Sequence, residues 1–523
     1  MPYLSHRDFS TIPPETHQRF MLEVDWDGDG LFNNAYSDVS ADIYGEVQAV
    51  RGRDYASQLT GRSVAGSLAT MLRNRDGKYS SFLATSPLYG KILPGRKVRA
   101  WASTPYTEVI WTGFIDSIAP IAASGSGTGE PVASLRASGI LKQLGDQSNI
   151  VSVAPITSGI VSDAVDDVLD AAGISATARN VETSAIPIAH WYVEQKVALT
   201  ALQELEETEL GFLYEDLNFG VGFDARYHRN VVGQGAVVEF SDDPASNYPY
   251  IDLVQADTVR DIYNTLTATV SPYTAAASAI LWTLANDTPY IPPGGSVTYK
   301  ATYADGYVNP WTTPDLGTDI ISSGGTLAVS SVVKSAQNMS FTITNSHVSQ
   351  GSTISLLQAR GVAYTAGQQY QVESSDATSQ AAYGRRSYPL PSPWLPNAAY
   401  AQAAVDYFIL NHKDPHPVLD ITIPSGANPT GTFVALAEQG ATRDLSDRVT
   451  VVATGILTKL GINETPDSQH HFIEAIEHRF GPAGFPWMTK YLLSPVPLPV
   501  GTNYWIIGDA TWGLLDSTSR LAY

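Results

Sequence analysis

The chain contains no cysteine, which excludes disulfides, thiolate nucleophiles and zinc–thiolate centres. Charge is scarce too. Only 16% of the 523 residues are Asp, Glu, Lys or Arg, where about a quarter is usual. Lys and Arg number 31 against 52 Asp and Glu, a formal net charge of -21. A basic face for stable nucleic-acid binding is therefore not expected, and the acidic balance repels DNA. No apolar run reaches the length of a membrane span, and residues 1–10 lack the apolar stretch of a signal peptide.

What is present suits sheets. The hydrophobic fraction is 43%, enough for several cores, and the length implies more than one domain. Alternation or β-rich composition predicts strands over Phe20–Val24, Gly45–Arg51, Ser63–Leu72, Lys97–Ala102, Val109–Ile118 and Val132–Ala137. A helix is predicted over Ser158–Ala172, capped at Ser158 or Ser162 and stopped at Gly173. A second is predicted over Val193–Thr208, with Ala198, Leu199, Leu202 and Leu205 as its apolar stripe. Phe212–Glu215 and Val221–Phe223 read as a hairpin. Strands then return at Thr265–Val270, Ser296–Tyr303, Thr326–Val332 and Met339–Thr344, followed by a helix over Tyr400–Leu410 and paired strands at Val449–Leu460 and Phe472–Phe480.

The fold class expected is mainly β with α+β parts, in several domains. The predicted units are a β-barrel-like unit over 1–121, an α+β unit over 131–263, an inserted β-sandwich over 264–360, and a C-terminal α+β and β region over 361–523.

Asp25-Trp26-Asp27-Gly28-Asp29-Gly30 resembles the opening of an oxygen-ligand calcium loop, with carboxylates at alternate positions and Gly at the sixth. Asp25, Asp27, Asp29 and Asn33 are the candidate Ca²⁺ ligands. Tyr36 stands where the closing bidentate Glu is needed, so the competing reading is a solvated acidic turn without metal. No other cofactor is expected. Glu204, Glu206, Glu207 and Glu209 read as the wet face of a helix, not as a glycosidase pair. His470 and Glu474 share one face of a strand, where sheet polarity or an interface contact is expected. No Gly-x-Ser-x-Gly elbow, His-Glu-x-x-His motif or phosphate loop occurs, and the chain is not expected to be an enzyme. Trp282, Tyr290, Tyr299, Tyr303, Tyr307 and Trp311 gather near the Pro/Gly turns of the middle unit. Trp282, Tyr290 and Trp311 are candidate glycan or interface contacts, the alternative being a sandwich core with an aromatic corner.

Several blocks recur in an order that resembles one family. They are the Asp25–Gly30 turn, Arg51-Gly52-Arg53, Ala65–Leu72 running into Arg73–Ser80, Pro94-Gly95-Arg96, and Thr112–Asp116. Ser374–Ser379 with Tyr383–Arg386, Leu445–Thr450 and the terminal Leu515–Tyr523 follow. Together they resemble the minor tail, or baseplate (tail tip) hub, proteins of siphophages. The resemblance implies a virion structural protein at the distal end of the phage tail, a homotrimer forming a ring. Its implied partners are the distal tail protein ring, the tape-measure protein and other tail-tip proteins, and its barrel-like domains would build the hub. A carbohydrate-binding host-recognition tail protein is the alternative.

Overall fold

The computed structural model describes residues 19–54, 62–104, 106–122, 129–184, 186–226, 228–231, 238–256, 262–285, 287–390, 394–414, 418–425, 432–454, 468–482 and 487–496. The predicted strand beyond Thr454 and the block Leu515–Tyr523 lie outside these residues.

Six N-terminal strands carry the predicted alternation: β1 (Arg19–Val24), β2 (Ile43–Asp54), β3 (Arg62–Arg73), β4 (Lys97–Thr104), β5 (Tyr106–Ile121) and β6 (Val132–Ser138). In β3, Leu68, Thr70 and Leu72 turn inward while Met71 is exposed, the period-two pattern of a sheet with one buried face. The strands lie in the order β1-β4-β5-β6-β3-β2. β2 then pairs with Ser468–Phe480 along its free edge, from Val47 opposite Phe480 to Gly52 opposite Ala475. Met488–Pro495, Val418–Ile423 and Asp252–Ala256 continue the sheet, and Arg448–Val452 with Val238–Ser241 branches from Ser468–Phe480. Strands from residues 19–138 and from 418–495 thus share one twelve-stranded sheet, and no described strand joins β1 to β2 to close a barrel.

The core confirms this union. Leu22, Trp26, Leu68, Trp111 and Leu135 pack in one cluster with Phe480 and Trp487, and Phe20 stacks on Phe480 with ring centroids 4.2 Å apart. Each large apolar side chain buried there contributes about 1.5–3 kcal/mol. Gly52 is indispensable at the seam. Its φ is +125°, and a Cβ would stand 2.4 Å from the Glu474 carbonyl oxygen, so two backbones meet where only glycine fits.

The α+β unit has its own core of Val165, Val168, Leu169, Trp191, Leu202, Leu205 and Phe223. The first of the two predicted helices spans Val161–Ala171. The Asp163 carboxylate, not Ser158 or Ser162, accepts the Ile160 N–H at 3.2 Å, satisfying a donor at the helix start. Gly173, at φ +76°, ends the helix as predicted. The second helix is shorter than predicted, Ala198–Glu209. Trp191–Val197 is instead a strand antiparallel to Ile150–Ile156, because Trp191 and Val193 point into the core at period two. Phe212–Asp216 and Gly220–Asp224 form the expected hairpin, with Arg179–Val181 added in parallel.

The middle unit consists of two sheets over one core. Ser352–Ala366 runs through one, while Ser296–Thr302, Asn338–Asn345 and Leu327–Lys334 form the other. Ile291, Met339, Phe341, Ile343, Ile354 and Leu357 fill the space between. Thr265–Val270 does not join this unit, contrary to the predicted boundary at 264. It pairs with Tyr370–Ser375 and Ser387–Leu390 and packs under the helix Ala398–His412 through Leu266, Ala268, Ala404 and Phe408. Val270 stands opposite Tyr370, and the Gly367 N–H donates to the Pro272 carbonyl at 2.7 Å. The insert therefore leaves and re-enters its host at neighbouring points.

Candidate functional site

The acidic turn is built around its first carboxylate. Asp25 is buried, and its two oxygens accept the N–H groups of Gly28 at 2.7 Å and Gly30 at 2.8 Å. Both glycines take positive φ, +73° and +81°, which turns their amides toward the carboxylate. Asp27 pairs with Lys91 at 2.7 Å and accepts from Asn34 at 2.8 Å, and these hydrogen bonds hold its carboxyl below the ordinary range. Asp29 accepts the Leu31 N–H at 2.9 Å, and Asn33 is exposed. The Tyr36 carbonyl, at the expected closing position, accepts the indole N–H of buried Trp26 at 2.8 Å. The alternating acids thus serve separate partners.

The aromatic candidates divide. Tyr290 is exposed, its ring lying over Gly351, where a Cβ would meet its hydroxyl. Trp282 is half-buried against the insert's core. Trp311 is no surface contact: it is 2% exposed, and its indole N–H donates to the Ser335 carbonyl at 3.0 Å. Its size and satisfied donor make it a core residue. Tyr307 is also fully buried, and stacks on Tyr364 at 4.7 Å between ring centroids. His190 and Tyr192 of the α+β unit meet this pair. His190 Nδ1 lies 2.8 Å from the Tyr307 hydroxyl, and the Tyr192 ring is 5.0 Å from that of Tyr307. Glu194 adds two contacts, accepting from the Gln337 N–H at 3.1 Å and the Asn338 amide at 2.7 Å. These contacts clamp the insert to the α+β unit. Burial lowers the basicity of His190 and pushes the Tyr192 hydroxyl up to about 12, so both stay neutral near pH 7.

The strongest constellation escaped the sequence reading. The predicted wet face of four glutamates is half wrong: Glu206 and Glu209 are buried, while Glu204 and Glu207 pair with Lys196 and Arg62 nearer solvent. Glu206 and Glu209 follow Leu202 and Leu205 by four residues each, so they continue the apolar stripe into the interior. That offset was the available signal. Glu206 accepts from the Ser63 hydroxyl at 2.9 Å and the Leu213 N–H at 3.0 Å, with Arg53 at 3.5 Å. Burial raises its carboxyl, and Arg53 opposes the rise.

Arg53 also approaches Glu474 at 3.4 Å, and Arg229 grips the same carboxylate at 2.6 and 3.1 Å. Ser494 donates to it at 2.6 Å. Burial alone would raise Glu474, but the arginines and Ser494 overcome it and bring it down to about 2. The Phe212 ring receives both guanidinium groups, with its centroid 4.5 Å from that of Arg53 and 3.8 Å from that of Arg229, two cation–π contacts. Two residues back along β2, Arg51 pairs with Asp444 at 2.6 Å. Arg51-Gly52-Arg53 therefore ties β2 to the α+β unit and to the C-terminal strands in three consecutive residues.

Two further groups flank this joint. Glu215 accepts the N–H groups of Gly66 at 2.9 Å and Leu141 at 3.0 Å; burial dominates these bonds and lifts it to about 7. Glu182, Asp224 and His228 converge beside the hairpin.

No protein-family model matches the chain, and no curated protein matches it. Among solved structures it is similar to a tail protein from Neisseria meningitidis MC58, over 91% of this chain and 96% of that one, at 11% identity and a TM-score of 0.49. The 43 kDa tail protein of prophage MuSo2 from Shewanella oneidensis is matched over 91% and 98%, at 11% identity and a TM-score of 0.45. Prophage tail protein gp18 from Listeria monocytogenes EGD-e is matched over 91% and 94%, at 9% identity and a TM-score of 0.41. At such identities the residues of the joint are read from this chain alone.

Proposed function

We propose that the chain is a structural subunit of a phage tail tip, a hub protein that assembles as a homotrimeric ring at the distal end of the tail tube. It works by assembly rather than catalysis, linking the tube to host-recognition components. The observation that carries this reading is the seam at β2. N-terminal strand β2 and the late strand Ser468–Phe480 join in one sheet there, and buried ion pairs fasten it to the α+β unit. A body so locked transmits force and position between neighbours without yielding internally. The order of the sequence blocks supports the same reading, and the acidic balance of -21 disfavours retention of DNA in a lumen. Molar mass in solution tests it, together with micrographs of the purified protein. Trimeric rings are expected; a strict monomer at all concentrations and with tail partners present would overturn it.

The alternative, host recognition through carbohydrate, rests on Tyr290 and Trp282, since Trp311 is interior. Loss of glycan binding in Tyr290→Ala with assembly unchanged would favour it.

A further inference from the structure

We propose that Glu182, Asp224 and His228 form a binding site for a divalent transition-metal ion of the Zn²⁺ class. Among the described residues they are the His and acid groups whose ligand atoms all fall within 4.8 Å of one another. Glu182 follows the strand Arg179–Val181, Asp224 ends Gly220–Asp224, and His228 opens the short helix His228–Val231. Neighbouring contacts fix how each group is presented. The Tyr214 hydroxyl donates to Asp224 Oδ1 at 3.1 Å, which directs Oδ2 toward His228. Asp224 Oδ2 and His228 Nε2 are 3.5 Å apart. Two ligands each about 2.1 Å from a tetrahedral ion stand about 3.4 Å apart, so an ion fits between them with little movement.

Glu182 completes the set. Its Oε2 accepts the Ala225 N–H at 2.8 Å and lies 3.2 Å from His228 Nδ1. Nδ1–H donating to a carboxylate is the arrangement that leaves Nε2 with a lone pair for metal. With Oε2 taken by Nδ1–H, Glu182 stays outside the ion's own shell and orients His228, and water fills the remaining positions. Glu182 and His228 side chains are 37% and 22% exposed, Asp224 6%, so the site has a buried floor and an open mouth. An imidazole nitrogen beside a carboxylate, with no thiolate, suits Zn²⁺ or Mn²⁺ better than Ca²⁺, which takes oxygen ligands alone. The next residue after His228 is Arg229, which grips Glu474. Metal here would pin the segment that closes the buried joint.

The test is calorimetry of the full chain with Zn²⁺ alone, after chelator treatment, alongside melting temperature with and without the ion. One equivalent is expected to bind and to raise the melting temperature. His228→Ala and Glu182→Gln should each weaken Zn²⁺ binding about tenfold or more. Glu182→Gln changes a partly exposed side chain, and its metal-free melting temperature shows that the fold is intact. Absence of saturable binding, or binding unaltered in both variants, would overturn the site and leave a plain ion pair of His228 between two carboxylates.

Discussion

Arg229 holds Glu474 through two guanidinium nitrogens, at 2.6 and 3.1 Å, across 245 residues of sequence. The carboxylate is wholly buried and the guanidinium nearly so. Removing Arg229 leaves the buried Glu474 charge to the more distant Arg53, at 3.4 Å, and the Ser494 hydroxyl. Arg229→Met is therefore expected to destabilise the fold by about 3–5 kcal/mol, read from urea unfolding. A loss below about 1 kcal/mol, typical of an exposed pair, would show that the joint does not hold the units together.

Acid should weaken the seam through its histidines. His471 and His478 are fully enclosed, and burial lowers both from 6.5 to about 3. Their folded values are depressed, so the stability they allow is present above pH 6.5 and is lost as pH falls toward about 3. Each contributes a slope of about 1.4 kcal/mol per pH unit in that window. His471→Leu should flatten the pH dependence of unfolding by about one such slope. An unchanged slope would mean that His471 is already charged in the folded state.

Glu215 acts in the opposite sense. Its folded value is raised from 4.5 to about 7, so its contribution is fully present below 4.5 and is lost as pH rises through about 7. Glu215→Gln keeps a carbonyl acceptor for one of the two N–H groups, Gly66 or Leu141, and removes the charge. The variant is expected to gain stability relative to the natural chain as pH increases from 5 toward about 8, measured by denaturation at several pH values. A constant difference between the two proteins would contradict a buried, titrating carboxyl.

The insert should be separable. Val270 and Tyr370 are paired, so residues 271–369 can be replaced by an Asn-Gly turn. The shortened chain is expected to fold with the remaining sheets intact by circular dichroism. In the full chain, Tyr307→Ala removes a buried ring and its contact with His190, at a cost of about 3–5 kcal/mol by analogy with other large aromatics. Faster proteolysis within 271–369 should follow. Equal proteolysis rates would place the clamp elsewhere.

Much of the local structure was legible. Alternation in β3 and β6 announced half-buried strands, and Gly173 announced a helix end, because such signals depend on neighbours two to four residues away. The helix predicted over Val193–Thr208 failed in its first turn for the same physical reason in reverse. Trp191 and Val193 obey the strand opposite them, Ile150–Ile156, and that partner lies 40 residues back.

What the sequence by itself determined is a β-rich, cysteine-free, acidic chain with a turn at Asp25 and an insert of aromatic strands. Only tertiary structure decided which polar residues lie inside. Glu206 and Glu209 look like solvated acids, and Glu474 like sheet polarity or an interface contact, until Arg53 and Arg229 are brought to Glu206 and Glu474, and the Ser184 hydroxyl and Arg226 N–H to Glu209. A buried carboxylate is tolerated only where a partner offsets its lost hydration. Those partners come from segments far apart in the chain, so no local pattern can announce them.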